Sequence, residues 1–104
     1  MLKKINDLDC FGDRKSFYNK CFVLVDPTGN DENKYLLSYN TVVCYVDENN
    51  NFYRLWDGES TTTTRHVNAF LKYCNIPGGG LAWWRKQEFG PAEMVNETRR
   101  ANIA

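Results

Sequence analysis

Residues 34–74 read KYLLSYNTVVCYVDENNNFYRLWDGESTTTTRHVNAFLKYC, and within them the hydrophobic period changes once. Up to Trp56 the stretch is rich in Tyr, Val and Thr, which suit a pleated, half-buried surface, and it is cut by polar turn residues at 48–51 and at Asp57 and Gly58. From Thr64 onward Val67, Phe70, Leu71 and Cys74 fall at i, i+3, i+4 and i+7, while Arg65, Asn68, Lys72 and Asn75 occupy the opposite face. That is one apolar stripe of a helix. Strands joined by short turns and followed by a helix predict an α+β fold, an antiparallel meander of three or four strands packed against one main helix.

Outward from this stretch, residues 16–26 (SFYNKCFVLVD) predict the first strand, closed by the turn cluster DPTGN at 26–30. Residues 34–47 form either one long strand bent around 38–41 or two short strands, and residues 52–56 form a further one. Ser60 or a threonine at 61–63 caps the helix, and Glu59 complements the positive end of its dipole. Pro77 and the glycines at 78–80 end it. The glycine run reads as a flexible link, because it follows a helix and has Leu81 where a phosphate-binding loop has lysine. LAWWRKQEF (81–89) gives a short C-terminal helical segment, Pro91 opens another through Met94 and Val95, and residues 97–104 are expected to fray. The expected core takes Phe22 or Val23, Val42 or Val43, Leu55, Val67, Phe70 and Leu71. The 104 residues make one domain, with an ordered core over about 12–90.

Thirteen basic residues balance thirteen acidic ones, which removes the bulk positive field of a general nucleic-acid binder. No apolar run approaches the ~20 residues of a spanning helix, and the N-terminus lacks the apolar stretch of a signal peptide, so a cytosolic protein without membrane contact is expected. Cys10, Cys21, Cys44 and Cys74 contain no CxxC pair, and the chain holds one histidine, so free thiols are expected and neither a metal nor a cofactor.

His66 is the first side chain any acid–base reaction would use, yet it borders the Val67 stripe, where a hydrogen-bonded structural role is the commoner fate. Cys74 lies eight residues along the same helix, about 12 Å away, so the two form no dyad. No enzymatic motif is present, and a non-enzymatic protein is expected. Trp83, Trp84 and Arg85, followed by Lys86, combine stacking surfaces with cations, and Arg14 precedes Tyr18 in a similar mixture. Such sets hold single-stranded nucleic acid or anchor a protein interface, although in a small domain a tryptophan also fills the core.

RKSFYNK (14–20), LLSYNTVVCYV (36–46) and LWDGESTTTTRHVNAFLKY (55–73) together resemble a family of small proteins of unknown function carried by phages and prophages of gut and related Firmicutes. The resemblance covers about residues 12–86. Its matching polar positions are Arg14, Ser16, Tyr18, Ser38, Tyr39, Thr41, Thr62, Arg65 and His66; Asn19 stands where glycine is common, and the segment after Trp84 departs from the pattern. The likeness implies a mobile-element setting and no particular reaction. The expectation is therefore a phage accessory protein that binds a host protein, with a defence nuclease as target in the manner of an anti-CRISPR inhibitor. Its binding residues would be Arg14, Tyr18, Tyr39, Arg65, His66, Trp83, Trp84 and Arg85. The alternative is a nucleic-acid-binding module that presents Arg65, Lys72 and residues 83–86.

Overall fold

The computed structural model describes residues 2–8, 20–28, 32–91, 93 and 94. Five strands, β1 (Lys3–Asp7), β2 (Cys21–Val25), β3 (Lys34–Ser38), β4 (Thr41–Val46) and β5 (Phe52–Arg54), precede two helices, α1 (Thr61–Cys74) and α2 (Leu81–Arg85). The strands form one antiparallel sheet in the order β1-β2-β3-β4-β5, so the fold is α+β and the connectivity is a plain meander. The strand count exceeds the expected three or four. The extra strand is β1, whose sequence KKIND shows no apolar alternation and whose residues are all exposed; its pairing with β2 makes it a strand, and it begins well before the expected core boundary at residue 12.

Period-two alternation divides the sheet's side chains. Cys21, Val23, Leu36, Val43, Cys44 and Val46 pack toward α1, against Val67, Ala69, Phe70, Leu71 and Cys74. Leu24, Tyr35, Leu37, Val42, Tyr45 and Leu55 form a second apolar cluster. There Tyr45 stands between its cross-strand partners Tyr35 and Tyr53, with ring centroids 5.7 and 5.2 Å apart. Val42 and Val43 are both buried because the pairing slips between Leu36 and Leu37: Leu36 faces Cys44 while Leu37 faces Val42, which leaves Val43 as the extra residue of a bulge. Val23 is fully buried and Phe22 only half so.

Residues 34–46 are two strands rather than one bent strand, divided by a turn at Tyr39 and Asn40. Asp47 fixes the next turn by accepting bonds from the backbone N–H of Asn49 and Asn51, both at 2.9 Å. Of the four candidate caps at 60–63, Ser60 starts helix α1, its Oγ accepting from Thr63 N–H at 3.0 Å. It stops at Asn75, whose left-handed backbone (φ 57°) lets the N–H groups of Asn75 and Ile76 close back on the carbonyls of Lys72 and Leu71.

The glycine run is held, not free. Gly78, Gly79 and Gly80 all have positive φ (129°, 118° and 90°), and Gly80 N–H donates to Asn68 Oδ1 at 3.0 Å. A Cβ on Gly78 would lie 2.4 Å from the Trp83 indole nitrogen. Beyond α2, residues 88–90 cover the edge of β5: Arg54 N–H donates to the Glu88 carbonyl and Gly90 N–H to the Arg54 carbonyl, both at 2.9 Å. The expected strand start at 16–19 and the tail at 97–104 lie outside the described residues.

Candidate functional site

Thr63 and His66 sit three residues apart on the sheet-facing side of α1, at positions where an apolar stripe would place core residues. Their partner is Ser38, the last residue of β3. Ser38 Oγ lies 2.7 Å from His66 Nδ1 and 3.2 Å from Thr63 Oγ1, and all three side chains are buried. An alcohol at hydrogen-bond distance from an imidazole is the first half of a nucleophile–base pair. A nucleophile must also meet its substrate, and Ser38 is only 2% exposed. In this fold the trio is a polar tether that fixes α1 against the end of β3, with each buried hydroxyl satisfied by its neighbour.

The tether carries an exposed residue directly above it. Tyr39 follows Ser38 with φ 56°, a left-handed backbone that a bulky side chain adopts at a cost. Its N–H donates to the Lys20 carbonyl at 2.7 Å, and its ring lies 5.5 Å, centroid to centroid, from the His66 imidazole. Half of the residue (49%) faces solvent, beside the exposed Asn40 and Thr41. The matching positions Ser38, Tyr39, Thr41 and His66 thus form one contiguous site, since Thr41 pairs with Ser38 across the turn. Arg65 is half-buried on α1 next to His66. Arg14 and Tyr18, also expected to bind, lie outside the described residues.

The tryptophan segment divides differently. Trp84 is a core residue, 2% exposed, with its indole N–H donating to the Gly58 carbonyl at 3.0 Å. Trp83 is half-buried, edge-on to Phe52 at 4.8 Å. Arg85 is exposed and ion-paired with Glu59 at 2.8 Å. A strip of bases could not stack on both tryptophans, because Trp84 is already covered.

Burial shifts the thiols. Cys21, Cys44 and Cys74 are buried, and no disulfide joins them. Desolvation pushes the Cys44 thiol well above its ordinary range, with Cys74 and Cys21 adding to it, and desolvation pushes Cys74 up to about 11. Cys10 lies outside the described residues. No group of three or more His, Cys, Asp or Glu among the described residues is arranged to hold a metal ion, and no helix among them is long and apolar enough to cross a membrane.

Sequence reasoning missed Arg54. Its guanidinium is buried between the rings of Trp84 and Phe89, 4.4 and 4.5 Å from their centroids, and donates to the carbonyls of Trp84, Trp56 and Gly58. Desolvation lowers its pKa, and Glu59 and Asp57 oppose that shift. A lone arginine in a three-residue strand gives no signal of burial.

The sequence profile of a family described as "Family of unknown function (DUF8033)" matches residues 6–86, most of the chain, and the chain belongs to that family. No curated protein and no solved structure matches it.

Proposed function

We propose that this member of the family is a phage- or prophage-encoded accessory protein that acts by stoichiometric binding to a host protein, with a defence nuclease as the target class. The observation that carries the binding role is Tyr39: an aromatic side chain held half-exposed on a strained backbone, above a buried tether that fixes its position. Strain of this kind persists where the surroundings over-determine it, and it collects at ligand clamps and recognition sites. Tyrosine is also among the residues that dominate interface energetics, because it brings a large amphipathic surface with few rotatable bonds. Asn40 and Thr41 add polar rim groups, and Arg65 supplies a cation on the adjoining helix.

The test is affinity capture from a Firmicutes host lysate, with and without added nuclease, comparing the wild type with Tyr39→Ala. A host protein that is retained after nuclease treatment, survives moderate salt and is lost with Tyr39→Ala, whose fold is checked by circular dichroism, supports the proposal. Purified with its partner, the protein should then block cleavage by that nuclease. Recovery of nucleic acid alone, with affinity collapsing between roughly 50 and 200 mM salt as counterions compete, overturns it in favour of a nucleic-acid module.

A further inference from the structure

A recess of about 430 Å³ lies between α1 and the loop that returns from its end. This volume is in the range of small-molecule sites, roughly 300–1,000 Å³. One wall is α1, contributing Arg65, Asn68 and Lys72; the other is the backbone of Gly78, Gly79 and Gly80; Ile76 and Pro77 contribute apolar surface. Three features make this wall more than a turn. The loop is pinned at its near end by Ile76 N–H on the Leu71 carbonyl at 2.9 Å and at its far end by Gly80 N–H on Asn68 Oδ1. Its glycines are required: at Gly79 a Cβ would come within 2.6 Å of Asn68 Oδ1, and φ is positive throughout. Finally, among the described residues the N–H groups of Gly78 and Gly79 donate to no protein acceptor. Ordering three glycines is entropically expensive, and here it lets the loop pack closely on Trp83 and Asn68 while the Gly78 and Gly79 N–H groups stay outside the backbone hydrogen-bond network.

The charges around the recess have one sign. Two cations line it and no carboxylate does, although the chain as a whole is neutral. Asn68 spends Oδ1 on Gly80, so the group it has left is the Nδ2 donor. At the carbonyl end of α1, where an anion is disfavoured, the Leu71 and Lys72 carbonyls are closed by the Ile76 and Asn75 N–H groups. Donors and cations beside an apolar floor suit a ligand with an anionic head and a compact organic body.

The geometry points to this recess as a binding site for the phosphate of a free mononucleotide, the phosphate against the Gly78 and Gly79 N–H groups and Lys72, the nucleoside over Ile76 and Pro77. The site shares Arg65 with the surface proposed around Tyr39 and otherwise uses different residues. The same phosphate chemistry could arrive on the 5′ end of an oligonucleotide, and the experiment separates the two.

Adenosine 5′-monophosphate is titrated into the ¹⁵N-labelled full chain and followed by amide and indole NMR resonances. Saturable shifts at Gly78, Gly79 and the Trp83 indole are expected with a Kd of order 1 mM or tighter, and adenosine without phosphate should bind at least about tenfold more weakly. Lys72→Glu, an exposed substitution that leaves the core intact, should weaken the mononucleotide about tenfold, while Tyr39→Ala should leave it unchanged. Gly79→Ala should abolish the shifts, with its melting temperature measured alongside; if it unfolds, Lys72→Glu alone decides. Silence up to roughly 10 mM, equal binding of adenosine, or indifference to Lys72→Glu overturns the proposal. A 5′-phosphorylated oligonucleotide that binds more than about tenfold tighter than the mononucleotide overturns the free-nucleotide assignment.

Discussion

Ser38, His66 and Cys74 show how much a single buried polar atom can decide. Removing the Ser38 hydroxyl leaves His66 Nδ1 without its 2.7 Å partner inside the core, and an unpaired buried polar group costs about 1–3 kcal/mol. Ser38→Ala should therefore lower the urea midpoint of unfolding by that amount with an unchanged slope; an unmoved midpoint would show that the tether adds nothing. Cys74 gives a pH dependence. Its folded-state pKa is about 11 against an ordinary 9.0, so the folded chain keeps the thiol proton where the unfolded chain gives it up. Stability is intact below pH 9 and falls as pH rises from 9 through 11. Cys74→Ala should flatten that decline relative to the wild type when unfolding is followed from pH 8 to 11. The structural role of His66 was legible from its place beside the Val67 stripe. Its partner was not, since Ser38 stands 28 residues away and only the strand-to-helix packing brings them together.

Elements were legible where period and punctuation agreed. For α1 the stripe, a cap among residues 60–63 and the stop before Pro77 all pointed the same way, and the helix runs from Thr61 to Cys74 with Ser60 as its cap. Leu71 lies at the centre of its buried face, 1% exposed, so Leu71→Ala should lose about 2–5 kcal/mol through lost burial and the cavity left behind. In a domain of this size that is a large share of the total, and thermal melting should show most of the chain unfolded well below the wild-type midpoint. Removal of the cap is the milder control: Ser60→Ala should cost about 0.5–2 kcal/mol, because one N–H at Thr63 loses its acceptor. Strand β1 was illegible for the opposite reason. KKIND carries no apolar alternation, and its lysines suit an edge that discourages further pairing. The glycine run was misread as a link because composition records glycine's freedom and not the contacts, with Trp83 and Asn68, that use it.

At the scale of the whole molecule, the helical C-terminal part is joined to the sheet through Arg54. Its backbone pairs with residues 88–90 along the β5 edge, and its guanidinium reaches the carbonyls of Trp84, Trp56 and Gly58 while stacking between Trp84 and Phe89. Trp84 returns the connection by donating to Gly58. No carboxylate bonds this buried cation among the described residues, and its Nε has no acceptor, so the contacts come from carbonyl dipoles and aromatic faces. Two substitutions separate its contributions. Arg54→Met keeps much of the apolar stem and removes the charge, relieving desolvation while leaving three carbonyls without this donor. Arg54→Ala removes the stem as well and opens space between the two rings. The expected order of stability is wild type, then Arg54→Met, then Arg54→Ala, with the alanine variant down by about 3 kcal/mol or more. Hydrogen exchange at the Gly90 amide should rise further than exchange within β3, because the first loss is local detachment of residues 84–90 from the β5 edge. If both amides instead speed up equally, Arg54 is part of the global core, and the C-terminal segment does not open as a unit of its own.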